Sequence, residues 1–297
     1  MVDILLIGAN GQLGWEVSRR AATEGLSFHA TVRAELDVTD REAVLRYVDQ
    51  LKPKAVVNAA AYTAVDKAES DAEAAYAVNR DGPTYLAEVC ASLGLPLIHM
   101  STDYVFDGTK TEAYTEQDPV APLGIYGSSK VAGEDAVRKI CPRHVILRTS
   151  WVYGVHGQNF VKTMLRTGAE LEVLRVVDDQ HGCPTFAGDL ADKVLTIANR
   201  IIGGTVSADG FGTFHCANQG QTTWCGFARK VFEVSEPRLS RVPKVDAIPT
   251  TAYPGSAKRP GNSVLNCGHL ARIFGIQLRS WEEALPEMLN ETLNLNK

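Results

Sequence analysis

Tyr126 and Lys130 stand four positions apart in the run Tyr126-Gly127-Ser128-Ser129-Lys130. On a helix such residues share one face, a single turn apart. The spacing therefore brings a phenol and an ammonium into one small volume. A cation beside a phenol favours the phenolate, so Lys130 is expected to lower the Tyr126 pKa and make it a proton donor usable near neutral pH. By itself this is a spacing that chance supplies in many helices. It becomes chemistry only if the chain also holds a redox partner and a group to meet a carbonyl.

The redox partner is suggested at the N-terminus. Gly8-Ala9-Asn10-Gly11-Gln12-Leu13-Gly14 follows the apolar run Ile4-Leu5-Leu6-Ile7 and opens a helical stretch. Glycines at this spacing let the backbone turn tightly and approach a pyrophosphate, which then sits on free N–H groups at a helix N-terminus. The strand-to-helix context is what gives the motif weight. An acid at the tip of the second strand would hold the adenosine ribose hydroxyls, but here that strand ends Ala30-Thr31-Val32-Arg33. Arg33 suits a 2′-phosphate, so NADPH is the expected cofactor, with NADH as the alternative. Asp37 is placed to reach the adenine amino group. Either Thr39 or Asp40 reads as the N-cap of the next helix.

The elements that must position these groups alternate. Strands are expected at 3–7, 27–32, 55–58, 96–100 and 144–148, with helices at 13–24, 41–52, 72–93 and 128–140 between them. Near-continuous apolar strands alternating with helices predict βαβ units and a parallel sheet covered on both faces. The fold expected is α/β, a Rossmann-type doubly wound parallel sheet with a smaller, interleaved C-terminal substrate lobe. Residues 1–150 would form the NAD(P)-binding domain, with later sheet pieces from about 175–220. Residues 151–297 would be mainly the substrate lobe, with helices at 189–202 and 280–295 and a loop-rich stretch at 243–261.

The 297 residues are 45% hydrophobic and carry a net charge of -5, which gives no footing for nucleic acid or an anionic membrane surface. No apolar stretch approaches the roughly 20 residues of a membrane span. The six cysteines show no C-x-x-C spacing, which predicts reduced thiols and a cytoplasmic protein without an export signal.

Further stretches carry a family likeness: Asn58-Ala59-Ala60-Ala61, Ser101-Thr102-Asp103-Tyr104-Val105-Phe106, Tyr126 to Glu134, Arg148 to Tyr153, Asp179 to Thr185 and Arg259 to Leu265. With the glycine loop, they resemble the extended short-chain dehydrogenase/reductase family, and within it the dTDP-4-dehydrorhamnose reductases. The resemblance runs from residue 8 to residue 265. It implies reduction of a 4-keto-6-deoxyhexose linked to a nucleoside diphosphate, with a dTDP-sugar as substrate. Tyr126 would be the general acid, Lys130 its partner and the holder of the nicotinamide ribose, and Thr102 the group that meets the carbonyl. Gly11, Gln12 and Leu13, together with Gly8, Asn10 and Gly14, would line the pyrophosphate. Asp37 and Val38 would contact adenine. Ala59, Ala61, Tyr62 and Thr63 would border the cofactor, and Thr63 and Val65 would face the sugar beside Asp103 and Tyr104. Other activities on the same scaffold are a different nucleotide-sugar reductase or epimerase, or a non-catalytic regulatory subunit like the methionine adenosyltransferase β-subunit.

Trp151 follows the fifth strand's C-terminal end, where ligands bind in open α/β sheets, and is expected to stack on the sugar. Arg259, in a Pro/Gly loop, is placed to grip the diphosphate bidentately. His181 is expected to line the site, whereas His99 reads as a core histidine. Asp66, Lys67 and Glu69 read as a helix start and a solvated face. Some members of the family hold magnesium between acids at a dimer contact. Glu16 and Glu291 match two such positions, but Gly188 stands at the third with Asp189 beside it. Magnesium wants several oxygen ligands, so no metal is expected, Glu16 reads as an acid in the first turn of its helix, and a homodimer is the assembly the resemblance allows.

Overall fold

The computed structural model describes residues 2–21, 25–253 and 255–295. The N-terminal part alternates strand and helix: β1 (Ile4–Ile7), α1 (Gln12–Ala21), β2 (Phe28–Thr31), α2 (Arg41–Leu51), β3 (Ala55–Asn58), α3 (Val65–Ala68), α4 (Ala72–Tyr76), α5 (Gly82–Leu93), β4 (Leu97–Thr102), α6 (Ile125–Ile140) and β5 (His144–Thr149). There follow β6 (Val152–Tyr153), α7 (Phe160–Glu170), β7 (Val173–Val177), β8 (His181–Gly182), β9 (Thr185–Phe186), α8 (Ala187–Ile202), β10 (Gly212–His215), β11 (Thr222–Thr223), α9 (Trp224–Ser235), β12 (Lys244–Ile248), α10 (Gly268–Phe274) and α11 (Trp281–Leu295). The expected helix at 13–24 thus begins at Gln12, and its positions 22–24 lie outside the described residues.

Among the described residues the principal sheet has six strands in the order β10-β5-β4-β3-β1-β2, all parallel. Its inner strands β1 and β3 are almost entirely apolar because both faces are covered. One core, built on Ile4, Leu6, Val57, Ile98, Val145 and Leu147, packs beneath α1 and α8. The other, on Leu5, Ile7, Val56, Leu97 and Ile146, packs beneath α2 and α5. The chain after residue 150 returns to this body: α8 supplies Leu190, Val194 and Leu195 to the first core, and β10 is the sheet's sixth strand, paired with β5. By contrast β7, which falls where late sheet pieces were expected, leaves the sheet and pairs with β12. A separate aromatic core of Tyr153, Phe186, Phe227 and Trp281 lies under α7, α9 and α11.

Strand order reverses at β1, which lies between β2 and β3. In open α/β sheets the crevice outside the strands' carboxyl ends at such a switch is where ligands bind. The helix expected at 72–93 is broken there. A π-helical turn over Ala77–Asp81 separates α4 from α5, and Pro83 enters at the start of α5. Such turns often sit at functional sites, and this one buries Asn79 fully.

Candidate active site

The glycine loop is built by close approach. Gly8 has φ +90°, and a Cβ there would lie 2.6 Å from the Ala60 amide nitrogen, while one on Gly14 would lie 2.1 Å from the Gly8 carbonyl oxygen. No side chain fits either place. The loop thereby cradles a cavity of about 270 Å³ at the switch point, walled by Gly8, Asn10, Gly11, Arg33, Asp37, Val38, Ala59, Ala61 and Tyr62. Gln12, Leu13 and Gly14 lie outside that wall. Leu13 is buried in the core, Gly14 closes α1 onto the loop, and Gln12 ties the loop to the second lobe. Its amide oxygen accepts from Asn159 Nδ2 at 3.0 Å. Thr63 is exposed and outside the cavity wall.

At the adenosine end, Asp37 accepts from the Thr39 amide (3.0 Å) and hydroxyl (2.8 Å). Arg33 Nε reaches Asp37 Oδ2 at 3.0 Å with its side chain 79% exposed, so the guanidinium stands at the rim facing solvent. Asp40, not Thr39, caps α2, accepting from the Ala43 amide at 2.9 Å.

The proton-handling groups meet where β4 ends and α6 begins. Tyr126, half-buried, faces Tyr104 edge-on with ring centroids 5.9 Å apart. Lys130 is buried and its Nζ donates to the Met100 carbonyl at 2.6 Å. Burial lowers the Lys130 pKa to about 8, against the pull of Glu134. The expectation for Tyr126 is corrected. Its phenol is raised to about 12, chiefly by burial and also by Asp103, with only the Thr102 hydroxyl acting downward. The lysine is aimed at a backbone carbonyl, so it does not activate the phenol in the way the spacing suggested. Tyr126 is fully protonated at neutral pH, as a proton donor must be. Thr102 Oγ1 donates to Asp103 Oδ1 at 3.0 Å and accepts from the Tyr104 amide at 3.2 Å. Asp103 is buried, and burial raises its carboxyl to about 7 although the nearby Ser263 and Thr102 hydroxyls favour its charged form.

Sequence reasoning missed the groups that hold this site together. Asn79 accepts from the Tyr62 amide at 2.9 Å and donates to the Tyr62 carbonyl and the Ser129 hydroxyl, both at 3.0 Å. Ser129 in turn donates to the Tyr126 carbonyl at 2.7 Å. The wall of the glycine-loop cavity and the helix bearing Tyr126 and Lys130 are thus one unit. Glu69 is more than a solvated acid: its carboxylate accepts the Ile125 amide at 2.8 Å and closes the N-terminus of α6. Lys67 does lie on the solvated face, 69% exposed.

Toward the substrate lobe, Val65, Tyr104 and Tyr126 line one narrow cleft with Lys258 and Pro260. Arg259 is no loose cation. It is paired with Asp66 at 2.5 Å with its side chain 17% exposed, and Asp66 also accepts the amides of Ser256 and Ala257. Arg259 borders a second cavity of about 290 Å³ with Phe160, Met164, Arg175, Gln180, Trp224 and Tyr253. Trp151 has φ +46°, a left-handed conformation costly for a large side chain, and stacks on Trp224 at 3.5 Å between centroids. Trp224 and Phe160 carried no sequence signal, because only the fold brings them here.

His181 lies exposed on β8, opposite Thr223. His99 is buried; its Nδ1 meets Asn58 at 3.1 Å, and its Nε2 has no hydrogen-bond partner among the described residues. Glu16 is fully buried and sits in the second turn of α1, so its reading as a first-turn acid is corrected. It is paired with Arg19 at 2.9 Å and Arg20 at 3.1 Å. Glu291 is paired with Arg19, and Asp189 with Arg279 at 2.8 Å. Among the described residues no cluster of three or more His, Cys, Asp or Glu is arranged for a metal.

Residues 2–294 match the family model described as RmlD substrate binding domain. The chain is 46% identical over 281 residues to the dTDP-4-dehydrorhamnose reductase of Sinorhizobium fredii, covering 95% of this chain and 94% of that one. A crystal structure of a dTDP-4-dehydrorhamnose reductase from Clostridium acetobutylicum superposes with TM-score 0.90 and 39% identity, covering 98% of this chain and 99% of the other. The dTDP-4-dehydrorhamnose reductase of Bacillus anthracis, solved in complex with NADP, gives TM-score 0.90 at 36% identity over 98% of this chain and all of that one (100%).

Proposed function

Because the chain belongs to the dTDP-4-dehydrorhamnose reductase family, we infer that it is an oxidoreductase that uses NADPH to reduce the C4 ketone of dTDP-4-dehydro-L-rhamnose to dTDP-L-rhamnose. The observation that carries this reading is the Asn79 link: it fixes the wall of the glycine-loop cavity to the helix bearing Tyr126 and Lys130. A proton donor is thereby held in register with a dinucleotide-shaped cradle.

The bound nicotinamide supplies a hydride. The chain's own residues do the rest. Gly8, Asn10 and Gly11 receive the pyrophosphate, while Asp37 and Val38 border the adenine and Arg33 meets a 2′-phosphate from the rim. Lys130, held by the Met100 carbonyl, orients the nicotinamide ribose. Tyr126 gives its proton to the ketone oxygen as charge grows there, and Thr102 donates a hydrogen bond to the same atom. Val65, Asp103 and Tyr104 border the sugar, with Trp151 against its face. Arg259 and the aromatic cavity beside it receive the nucleoside diphosphate. In this reading residues 1–150, with sheet pieces from the later chain, hold the cofactor, and the rest mainly holds the sugar nucleotide. A homodimer in the cytoplasm is the setting we propose.

The test is NADPH oxidation with dTDP-4-dehydrorhamnose, set beside dTDP-4-keto-6-deoxyglucose. Turnover with the first and little with the second is expected. NADPH binding with no turnover on either would turn the reading toward a non-catalytic subunit.

A further inference from the structure

Thr102 has a single hydroxyl proton to give. In the structure that proton goes to Asp103 Oδ1 at 3.0 Å, and the threonine oxygen already accepts from the Tyr104 amide at 3.2 Å. While that bond to Asp103 is made, the hydroxyl has no proton for a substrate carbonyl or for the Tyr126 phenol, its other neighbour. Asp103 is itself 3% exposed, and its second oxygen, Oδ2, is buried with no hydrogen-bond partner among the described residues. A buried carboxylate with one oxygen unpaired pays a large desolvation cost as an anion, and far less as an acid.

We propose that Asp103 is a positioning residue that switches Thr102 between two hydrogen-bonding states. When Asp103 is protonated, its O–H donates to Thr102 Oγ1 and releases the threonine proton toward the substrate oxygen. When Asp103 is ionised, it captures that proton, and the carbonyl loses one of its two donors. No bond to carbon changes; one hydroxyl turns and one carboxyl proton is held or lost. This inference rests on the reading of Thr102 and Tyr126 as the groups that meet the ketone.

The surroundings suit such a switch. Burial raises the carboxyl to about 7, while the Ser263 and Thr102 hydroxyls favour its charged form. The titratable groups that face it are Tyr104 from the same turn, Tyr126 from α6 and Cys183 from the segment after β8. None of these is charged near neutral pH, because burial raises all three. Lys130, at about 8, titrates higher.

The experiment is the pH profile of kcat for the full chain with NADPH and dTDP-4-dehydrorhamnose, between about pH 5.5 and 9. For the native chain kcat is expected to fall roughly ten-fold as Asp103 ionises. In Asp103→Asn the amide donates to Thr102 and does not ionise, so the limb near pH 7 disappears and only the higher one remains. In Thr102→Val the rate is lower at every pH, and the same limb is lost because Asp103 acts through Thr102. A limb near pH 7 that is unchanged in Asp103→Asn overturns the proposal. If that variant does not bind NADPH, the decision passes to Thr102→Val, where persistence of the limb overturns it. Tyr126→Phe is measured alongside. Full turnover in that variant would instead overturn the reading of the catalytic set, and so separates the two failures.

Discussion

Asn79 donates its buried side-chain amide to the Ser129 hydroxyl at 3.0 Å, joining the π-turn beneath the cofactor cavity to the helix that presents Tyr126. The two residues are 50 positions apart in sequence, and Ser129 hands the link on to the Tyr126 carbonyl. Replacing Asn79 by Leu leaves the Tyr62 amide and carbonyl and the Ser129 hydroxyl without this partner. The expected cost is about 2–4 kcal/mol of stability, seen as a lower melting temperature. NADPH affinity and kcat should fall together. A loss confined to one of them would contradict the coupling.

A second prediction concerns Lys130. Burial takes its pKa from 10.5 to about 8. Below pH 8 both folded and unfolded chains hold the proton, so folding carries the whole cost of burying the charge. Between about pH 8 and 10.5 the folded chain is neutral while the unfolded one is still charged, and stability rises with pH. Lys130→Met should therefore raise the melting temperature at pH 7, by on the order of 1–3 kcal/mol in stability, while abolishing most turnover. The gain should shrink toward pH 10. Thermal melts at the two pH values check this; destabilisation at pH 7 would contradict it.

These two residues also mark what the sequence makes legible. The strand, glycine loop and helix at 4–21 are local, and local patterning suffices to read them. The Tyr126–Lys130 spacing is legible too, although the helix expected at 128–140 begins earlier, at Ile125, and so includes Tyr126. The target of the Lys130 ammonium was not legible, because Met100 lies on a different strand. Nor was the break at Ala77–Asp81, where helix-forming residues run on both sides and the reason for the turn is tertiary. The Asp66–Arg259 pair spans 193 positions, and the Trp151–Trp224 stack joins β5's end to α9. Pairings of that kind exist only once the sheet and the second lobe have formed.

Asp66 holds Arg259 over the second cavity. In Asp66→Asn the guanidinium loses its charged partner and its fixed direction. KM for the sugar nucleotide should rise about ten-fold, roughly 1.4 kcal/mol, with NADPH affinity unchanged. Initial-rate kinetics and a direct cofactor titration separate the two. A KM equal to that of the native chain would show that Arg259 does not serve the diphosphate.

Arg33 stands exposed at the rim of the glycine-loop cavity, with Asp37 as its partner at 3.0 Å. Arg33→Ala should weaken NADPH about ten-fold, a loss in the range of a charge-assisted hydrogen bond, and leave NADH nearly unaffected. Equal losses for both cofactors would remove the 2′-phosphate from its role.

Gly8 tests the cradle itself. With φ +90° and the Ala60 amide 2.6 Å from where a Cβ would stand, Gly8→Ala strains the turn and pushes the β3 loop away. NADPH binding should fall at least ten-fold, alongside a stability loss of about 1–3 kcal/mol. Unaltered binding by titration would contradict the placement of the pyrophosphate.

In the proposed reaction the Tyr126 phenol delivers the proton to the ketone oxygen. Tyr126→Phe removes one hydroxyl and keeps the ring against Tyr104. The decisive measurement is kcat for NADPH oxidation by this variant with dTDP-4-dehydrorhamnose, taken beside its NADPH affinity. A fall of about 10²–10⁴-fold in kcat with cofactor affinity retained is expected; turnover close to that of the native chain would show that another group delivers the proton.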